Sequence, residues 1–259
     1  MPISRRELLG GATASVISAS AISYPSNVRI KVVLFDAFPI FDPRPIFTNV
    51  VDRFPERGAE LNTLWRTRQF EYTWLRSMSR KYRDFYEITE DALVFAAKSL
   101  KIGITTKQRK EIMEGYLQLK AWDDVPKSID SLRAANIRLG FLSNFTPTML
   151  QSAISNSKLD GLFEHVLSTD AVKTYKPDLR AYQMGVDALK LQRDEILFAA
   201  FAGWDAFGAK SFGYPTFWVN RQNAPLEELG NAPDGAGGNL TALVEFITNT
   251  TRQDSKPNS

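Results

Sequence analysis

Ile30-Lys31-Val32-Val33-Leu34-Phe35-Asp36, followed by Ala37-Phe38-Pro39-Ile40-Phe41-Asp42, decides the reading of this chain. A short apolar run stopped by a turn signal is the pattern of a strand buried on both faces, as parallel sheets require. A carboxylate at the carboxyl end of such a strand stands where open α/β sheets collect their ligands. Asp36 is therefore the first candidate for chemistry, although an Asp after a strand can equally cap the helix that follows it.

Outward from this strand the periodicity changes. Apolar residues at Leu61, Leu64, Trp65, Tyr72, Leu75 and Met78 recur at three- and four-residue steps and predict an amphipathic helix over residues 61–78, with Arg66 and Phe70 on another face. Helical patterns follow over residues 89–100, opened by Thr89-Glu90-Asp91, and over residues 106–119. No strand pattern occurs between Asp42 and Lys120, so residues 43–120 read as a helical cap inserted into an α/β core made of residues 27–42 and 121–250. In that core, strands are expected at residues 137–143, 165–168, 196–200 and 216–219, separated by helices. With the first strand this makes five, and the alternation predicts a doubly wound, Rossmann-like parallel sheet. The Gly-rich residues 231–239 read as a surface loop, because no strand runs into them as a phosphate-binding turn demands. Residues 251–259 read as a disordered tail.

Composition narrows the function. The chain has 259 residues and a formal charge of only +3, with basic residues scattered among acidic ones, which argues against nucleic-acid binding. The absence of Cys removes disulfides and thiolate chemistry. The single His, His165, lies at the start of an expected strand and reads as structural, leaving no basis for a Ser-His-Asp triad or a His-rich metal site. At the amino terminus, Arg5-Arg6, a weakly apolar stretch and the small-residue site Ala19-Ser20-Ala21 have the layout of a twin-arginine export signal over residues 1–26. That stretch is too short and too weakly apolar to span a membrane, so the expectation is a periplasmic protein without stable membrane association, the alternative being a cytoplasmic one.

Asp36, Ser143, Lys176 and Asp205 each follow, or lie just beyond, a different expected strand. Their order and spacing resemble the haloacid dehalogenase superfamily, whose motifs supply a nucleophilic Asp, a Ser or Thr, a Lys and an acidic group. The segments Leu64-Trp-Arg-Thr-Arg-Gln-Phe-Glu-Tyr-Thr-Trp-Leu-Arg76, Tyr175-Lys-Pro-Asp-Leu-Arg-Ala-Tyr182 and Trp204-Asp-Ala-Phe-Gly-Ala-Lys-Ser-Phe-Gly213, with Arg83-Asp84-Phe85, resemble the type II 2-haloacid dehalogenases more closely still.

The resemblance implies that the Asp36 carboxylate attacks C2 of a 2-haloalkanoate and forms an ester that water then hydrolyses. It implies that Arg66 receives the halide, that Ser143 and Asn144 seat the substrate carboxylate, and that Lys176, supported by Tyr182, keeps the nucleophile ionised. Asp205 holds Lys176 or polarises water, Phe38, Phe70, Phe85 and Trp204 wall the alkyl group, and two copies pair through the helical cap. No cofactor is implied. Phosphotransferases of the superfamily place a second Asp where this chain has Phe38, so neither leaving-group protonation nor a magnesium site is expected. The chain also departs from the dehalogenase pattern: Pro39 and Ile40 replace Gly and Thr, Phe145 replaces the Gly of Ser-Asn-Gly, and Ala200-Phe201-Ala202-Gly203 replaces Ser-Ser-Asn-Ala. Two other readings stay open, a catalytically impaired relative that binds a small carboxylate and a magnesium-dependent phosphatase.

Overall fold

The computed structural model of the protein describes residues 30–253. The expected export signal, with Arg5, Arg6 and the Ala19-Ser20-Ala21 site, lies outside the described residues, as do residues 254–259. Among the described residues, strands β1 (Val32–Phe35), β2 (Arg138–Ser143), β3 (His165–Ser168), β4 (Ile196–Ala200), β5 (Thr216–Val219) and β6 (Gly235–Gly237) form one parallel sheet in the order β3-β2-β1-β4-β5-β6. The strand order reverses between β1 and β4, and Asp36 ends β1 at this switch point, where such sheets bind ligands. Successive β1 side chains alternate between layers. Val33 and Phe35 enter one apolar cluster, Val32 and Leu34 the other, and all four are fully buried.

Helices cover both faces. The cluster on one side contains α6 (Val125–Ala134), α7 (Pro147–Asn156) and α10 (Leu240–Gln253), and the other contains α8 (Leu179–Leu189) and α9 (Gly203–Phe212). The Gly-rich stretch departs from the expected surface loop, since Gly235–Gly237 is the edge strand β6. Glycine is needed there because a Cβ at Gly235 would lie 2.7 Å from the Phe246 ring and one at Gly237 would lie 2.4 Å from Ala242 Cβ. Strand and α10 therefore pack closer than any side chain permits, a tertiary demand that composition does not reveal.

Between Asp42 and Ala121 the chain is helical, without strand: α2 (Arg44–Arg53), α3 (Gly58–Ser79), α4 (Phe85–Ser99) and α5 (Thr106–Glu114). The two ends of this segment are pinned together, with Asp42 N donating to Lys120 O at 2.8 Å and Phe41 bridging Ala121. Helix α4 starts a turn before the expected Thr89, because Asp84 is the residue that caps it, accepting from Glu87 N at 2.9 Å. Thr89 lies inside the helix, buried, with its hydroxyl donating to Phe85 O and accepting from Gln69 Nε2 on α3. The apolar residues Ile46, Leu61, Trp65, Phe85 and Ile88 join the same cluster as Val33 and Phe35 of the sheet. Stacking of Tyr82 on Tyr175 at 5.2 Å and the 2.8 Å bond from Tyr82 OH to Asp170 Oδ1 fasten the α3–α4 connection to the segment carrying Lys176.

Candidate active site

Asp36 fulfils both sequence readings. It ends β1, and it is also the N-cap of a four-residue helix, α1 (Ala37–Ile40), through Oδ2, which accepts from Phe38 N at 3.3 Å. Its other oxygen, Oδ1, accepts from Lys176 Nζ at 2.8 Å and from Ser143 Oγ at 3.1 Å. Lys176 Nζ also donates to Asp205 Oδ2 at 2.6 Å, and Tyr182 OH donates to Asp205 Oδ1 at 2.7 Å. The carboxyl ends of β1, β2 and β4, together with the loop after β3, thus converge on one chain of charges from Asp36 through Lys176 and Asp205 to Tyr182.

Burial makes this chain electrostatically tense. Lys176 and Asp205 are 1% and 2% exposed, against 13% for the Asp36 side chain. Burial opposes the Lys176 charge, but Asp205 and Asp36 outweigh it, and the net shift is upward. Burial, with Asp36 adding to it, pushes Asp205 up to about 6 despite the attraction of Lys176. Burial and the neighbouring Asp205 raise Tyr182 well above the ordinary phenol range, so it serves as a hydrogen-bond donor. One cation between two anions leaves the cluster with a net negative charge, so a substrate carboxylate must be seated by other donors.

Asn144 is placed differently from Ser143. Its Oδ1 accepts from Lys176 N at 3.0 Å and from Thr169 Oγ1 at 3.3 Å, which locks the loop that presents Lys176. A cavity of about 20 Å³ lies over the nucleophile, lined by Asp36, Ser143, Asn144, Lys176 and Asp205 on the polar side and by Phe38, Phe70, Phe85, Phe145, Phe201, Ala202 and Trp204 on the apolar side. All four aromatic residues expected from the sequence therefore reach it. Phe38 packs edge-on against Phe145 with centroids 5.1 Å apart, Phe145 lies 5.6 Å from Phe85, and Phe70 lies 5.2 Å from Trp204. Ala202 lines this chamber. Ala200 belongs to the layer beneath the sheet, fully buried in the cluster of Tyr182 and Ala206.

Arg66 lies next door. It lines an adjoining cavity of about 210 Å³ that shares Phe38, Phe70, Phe201, Ala202 and Trp204 with the chamber of Asp36. Its guanidinium sits 4.9 Å from the Phe47 ring, and among the described residues no carboxylate pairs with it. Burial lowers its pKa, although a guanidinium remains charged. The rest of that cavity's wall is mixed, with Gln69, Asn220, Gln222 and Glu227 among the aromatic residues, and a half-buried cation that no carboxylate contacts is suited to receive a small anion.

Trp122 and Arg221 are further participants that the sequence reading passed over. The carbonyls of α1 all find donors: Phe41 N on Ala37 O, Trp122 Nε1 on Phe38 O at 3.0 Å, Arg221 Nη2 on Pro39 O at 2.7 Å and Trp122 N on Ile40 O at 3.0 Å. Arg221 is itself held by Asp124 through two 3.0 Å bonds and stacks 4.5 Å over Trp122. The turn that aims Asp36, deprived of the Gly and Thr of the dehalogenase pattern, is gripped from outside by these two side chains. Arg221 stands just past the carboxyl end of β5, so the strand-end rule that found Asp36 was its available signal. Trp122 had none.

Comparison with known proteins agrees with this geometry. Residues 27–213 match the haloacid dehalogenase-like hydrolase family. A (S)-2-haloacid dehalogenase of Pseudomonas sp. (strain YL) is 39% identical over 219 residues, covering 84% of this chain and 94% of that protein. Haloacetate dehalogenase H-2 of Moraxella sp. (strain B) is 33% identical over 220 residues, 85% of this chain and 98% of that protein. Among solved structures, one L-2-haloacid dehalogenase superposes with a TM-score of 0.83 at 36% identity, over 85% of this chain and all of that one. The L-2-haloacid dehalogenase from Xanthobacter autotrophicus with chloropropionic acid covalently bound superposes with a TM-score of 0.76 at 28% identity, over 85% of this chain and 98% of that one. Fold, the Asp36-Ser143-Lys176-Asp205 constellation and these relatives lead to one conclusion: the chain belongs to the haloacid dehalogenase-like hydrolases.

Proposed function

We propose that this protein hydrolyses the carbon–halogen bond of short 2-haloalkanoic acids, giving 2-hydroxy acids through an ester on Asp36. The observation that carries the reading is the division of labour on Asp36. Oδ1 is held by Lys176 and Ser143, whereas Oδ2 has a single long backbone contact and is the freer oxygen to attack. As Oδ2 bonds to C2, the halogen leaves from the opposite side with the bonding electrons, and Arg66 stabilises the charge that grows on it. Alkylation removes the charge of Asp36, so Lys176 is then balanced by Asp205 alone. Water adds to Asp36 Cγ, the acyl–oxygen bond breaks, the departing oxygen is protonated to give the 2-hydroxy acid, and the carboxylate returns with net release of one proton. The reaction routes no step through a metal or cofactor.

Incubating purified protein with racemic 2-chloropropionate and with a generic phosphate ester, each with and without EDTA, tests this. Chloride release that EDTA leaves unchanged and Asp36→Asn abolishes is the expected result. EDTA-sensitive phosphate release in its place would install the phosphatase reading.

One observation favours a second reading, a carboxylate-binding relative with impaired turnover. Ala202 lines the chamber and its side chain offers water no hydrogen bond, where the dehalogenase pattern has Asn. Absence of even stoichiometric chloride release would select that reading. Two accompanying proposals rest on other features. Leu75 and Met78, 57% and 83% exposed on α3, suit a second copy of this chain, which light scattering would detect as a dimer. Export directed by Arg5-Arg6 would place the protein in the periplasm, and cell fractionation of an Arg5→Lys/Arg6→Lys variant tests it.

A further inference from the structure

Phe201 stands where three cavities meet. It lines the 20 Å³ chamber over Asp36, the 210 Å³ cavity of Arg66, and a third of about 500 Å³ that continues past Arg66 to Arg44 and Trp122. Its ring lies 5.4 Å from that of Phe38, and the two rings are common to the walls of the first two cavities. Its backbone is anchored, with Phe201 O accepting from Trp218 Nε1 at 2.9 Å, while its side chain is only partly buried and has open volume on more than one side. A cavity of 20 Å³ accommodates about one water. The smallest 2-haloacid is several times larger.

Resting on the dehalogenase reading above, the reaction imposes a line. Asp36 Oδ2, C2 and the departing halogen must be collinear, with the halogen directed toward Arg66, and Phe38, Phe70, Phe201, Ala202 and Trp204 form the wall shared by the chamber holding the first and the cavity holding the last; of these five only Phe201 also borders the 500 Å³ cavity. We infer that Phe201 is the gate and size filter of this site: its ring turns toward the 500 Å³ cavity to join the two compartments, and the volume it vacates sets the largest C2 substituent the enzyme accepts. Phe38 is less free to do this, since it belongs to α1 and is packed edge-on against Phe145.

The test compares chloroacetate with 2-chlorobutanoate in the wild type and in Phe201→Ala, Phe201→Leu and Phe201→Trp. Phe201→Ala is expected to raise the 2-chlorobutanoate-to-chloroacetate ratio of kcat/KM by at least about tenfold, since one or two methylenes admitted to a tight pocket are worth about 10- to 200-fold. Phe201→Leu should move the ratio the same way by less, and Phe201→Trp should lower it. Titration with the inert acids acetate and butanoate, read by isothermal titration calorimetry, gives a measure independent of turnover. There Phe201→Ala should tighten butanoate selectively. Folded variants whose kcat/KM and Kd ratios both stay within about twofold of wild type would overturn the gate. Absence of halide release by the wild type would instead overturn the dehalogenase reading, and the Kd ratios would still decide the gate.

Discussion

Replacing Lys176 by Met keeps most of the side-chain volume and removes the one positive charge between Asp36 and Asp205. The lysine Nζ lies 2.8 Å from one carboxylate and 2.6 Å from the other, at 1% exposure. Removing the partner of a buried charge costs about 3–5 kcal/mol, and here two carboxylates are stranded together. Asp205 already sits at about 6 because burial and Asp36 raise it against the pull of Lys176. Without that pull it rises further, and the folded variant binds a proton that the unfolded chain, with an ordinary carboxylate, does not. A group whose folded pKa lies above its unfolded value stabilises the protein below the unfolded pKa, and that stability is lost as pH rises through the folded one. Each pH unit in the window costs about 1.4 kcal/mol per proton, so the deficit of the variant should shrink by about 2 kcal/mol between about pH 7.5 and about pH 5.5. The wild type gains less over the same interval, because its Asp205 takes up a proton only near the lower end. Urea unfolding of both proteins at the two pH values measures this. A deficit under about 1 kcal/mol at the higher pH, or one equal at both, would refute the buried charge chain.

Arg66→Ala should lower turnover at least about a hundredfold, since a preorganised charge-stabilising donor is worth roughly 3 to 4 kcal/mol; a steady-state halide assay with near-normal rates would remove Arg66 from halide departure. Turnover should rise with pH through an acid limb near 6, because protonating Asp205 removes the negative charge that holds Lys176, and in Asp205→Asn the limb should vanish along with most of the rate. Arg221→Met breaks the pair with Asp124 and frees Pro39 O, so it should cost about 3 kcal/mol in urea unfolding and slow ester formation in single turnover more than it changes KM. An equal loss of stability with an unaltered chemical step would make the Arg221–Trp122 grip purely structural.

The site was legible in the sequence wherever a strand end carried it. Asp36, Ser143 and Asp205 follow apolar runs of strand length, and period and position alone put them on one edge of the sheet. Lys176 lies beyond its strand on a loop, where position marked it but only the resemblance gave it a role, and Arg66 sits on a helix, where the resemblance alone singled it out. What stayed hidden depends on contacts between distant segments. Gly235–Gly237 pairs because α10 needs a surface without side chains, α4 begins at its Asp84 cap because Thr89 is bound to Gln69 across a helix pair, and Arg221 reaches Pro39 O from 182 residues away. The missing polar groups at Ala200 and Ala202 looked equivalent in the sequence. The end of the strand separates them: Ala200 is the last residue of β4 and is buried beneath the sheet, whereas Ala202 lies past the strand as the N-cap of α9 and lines the chamber. Ala202→Asn is therefore the substitution that can restore a hold on water.

The central claim is that Asp36 becomes covalently alkylated and is then hydrolysed at its own carbonyl carbon. Rapid-quench single turnover of 2-chloropropionate in water enriched in oxygen-18, followed by mass analysis of the peptide containing Asp36, examines both halves at once. A stoichiometric halide burst, a transient ester confined to Asp36, and heavy oxygen retained in the Asp36 carboxylate after turnover are the predicted results. Heavy oxygen appearing in the 2-hydroxy acid within that single turnover, with an unlabelled and unmodified Asp36, would mean that water attacks C2 directly and would contradict the account.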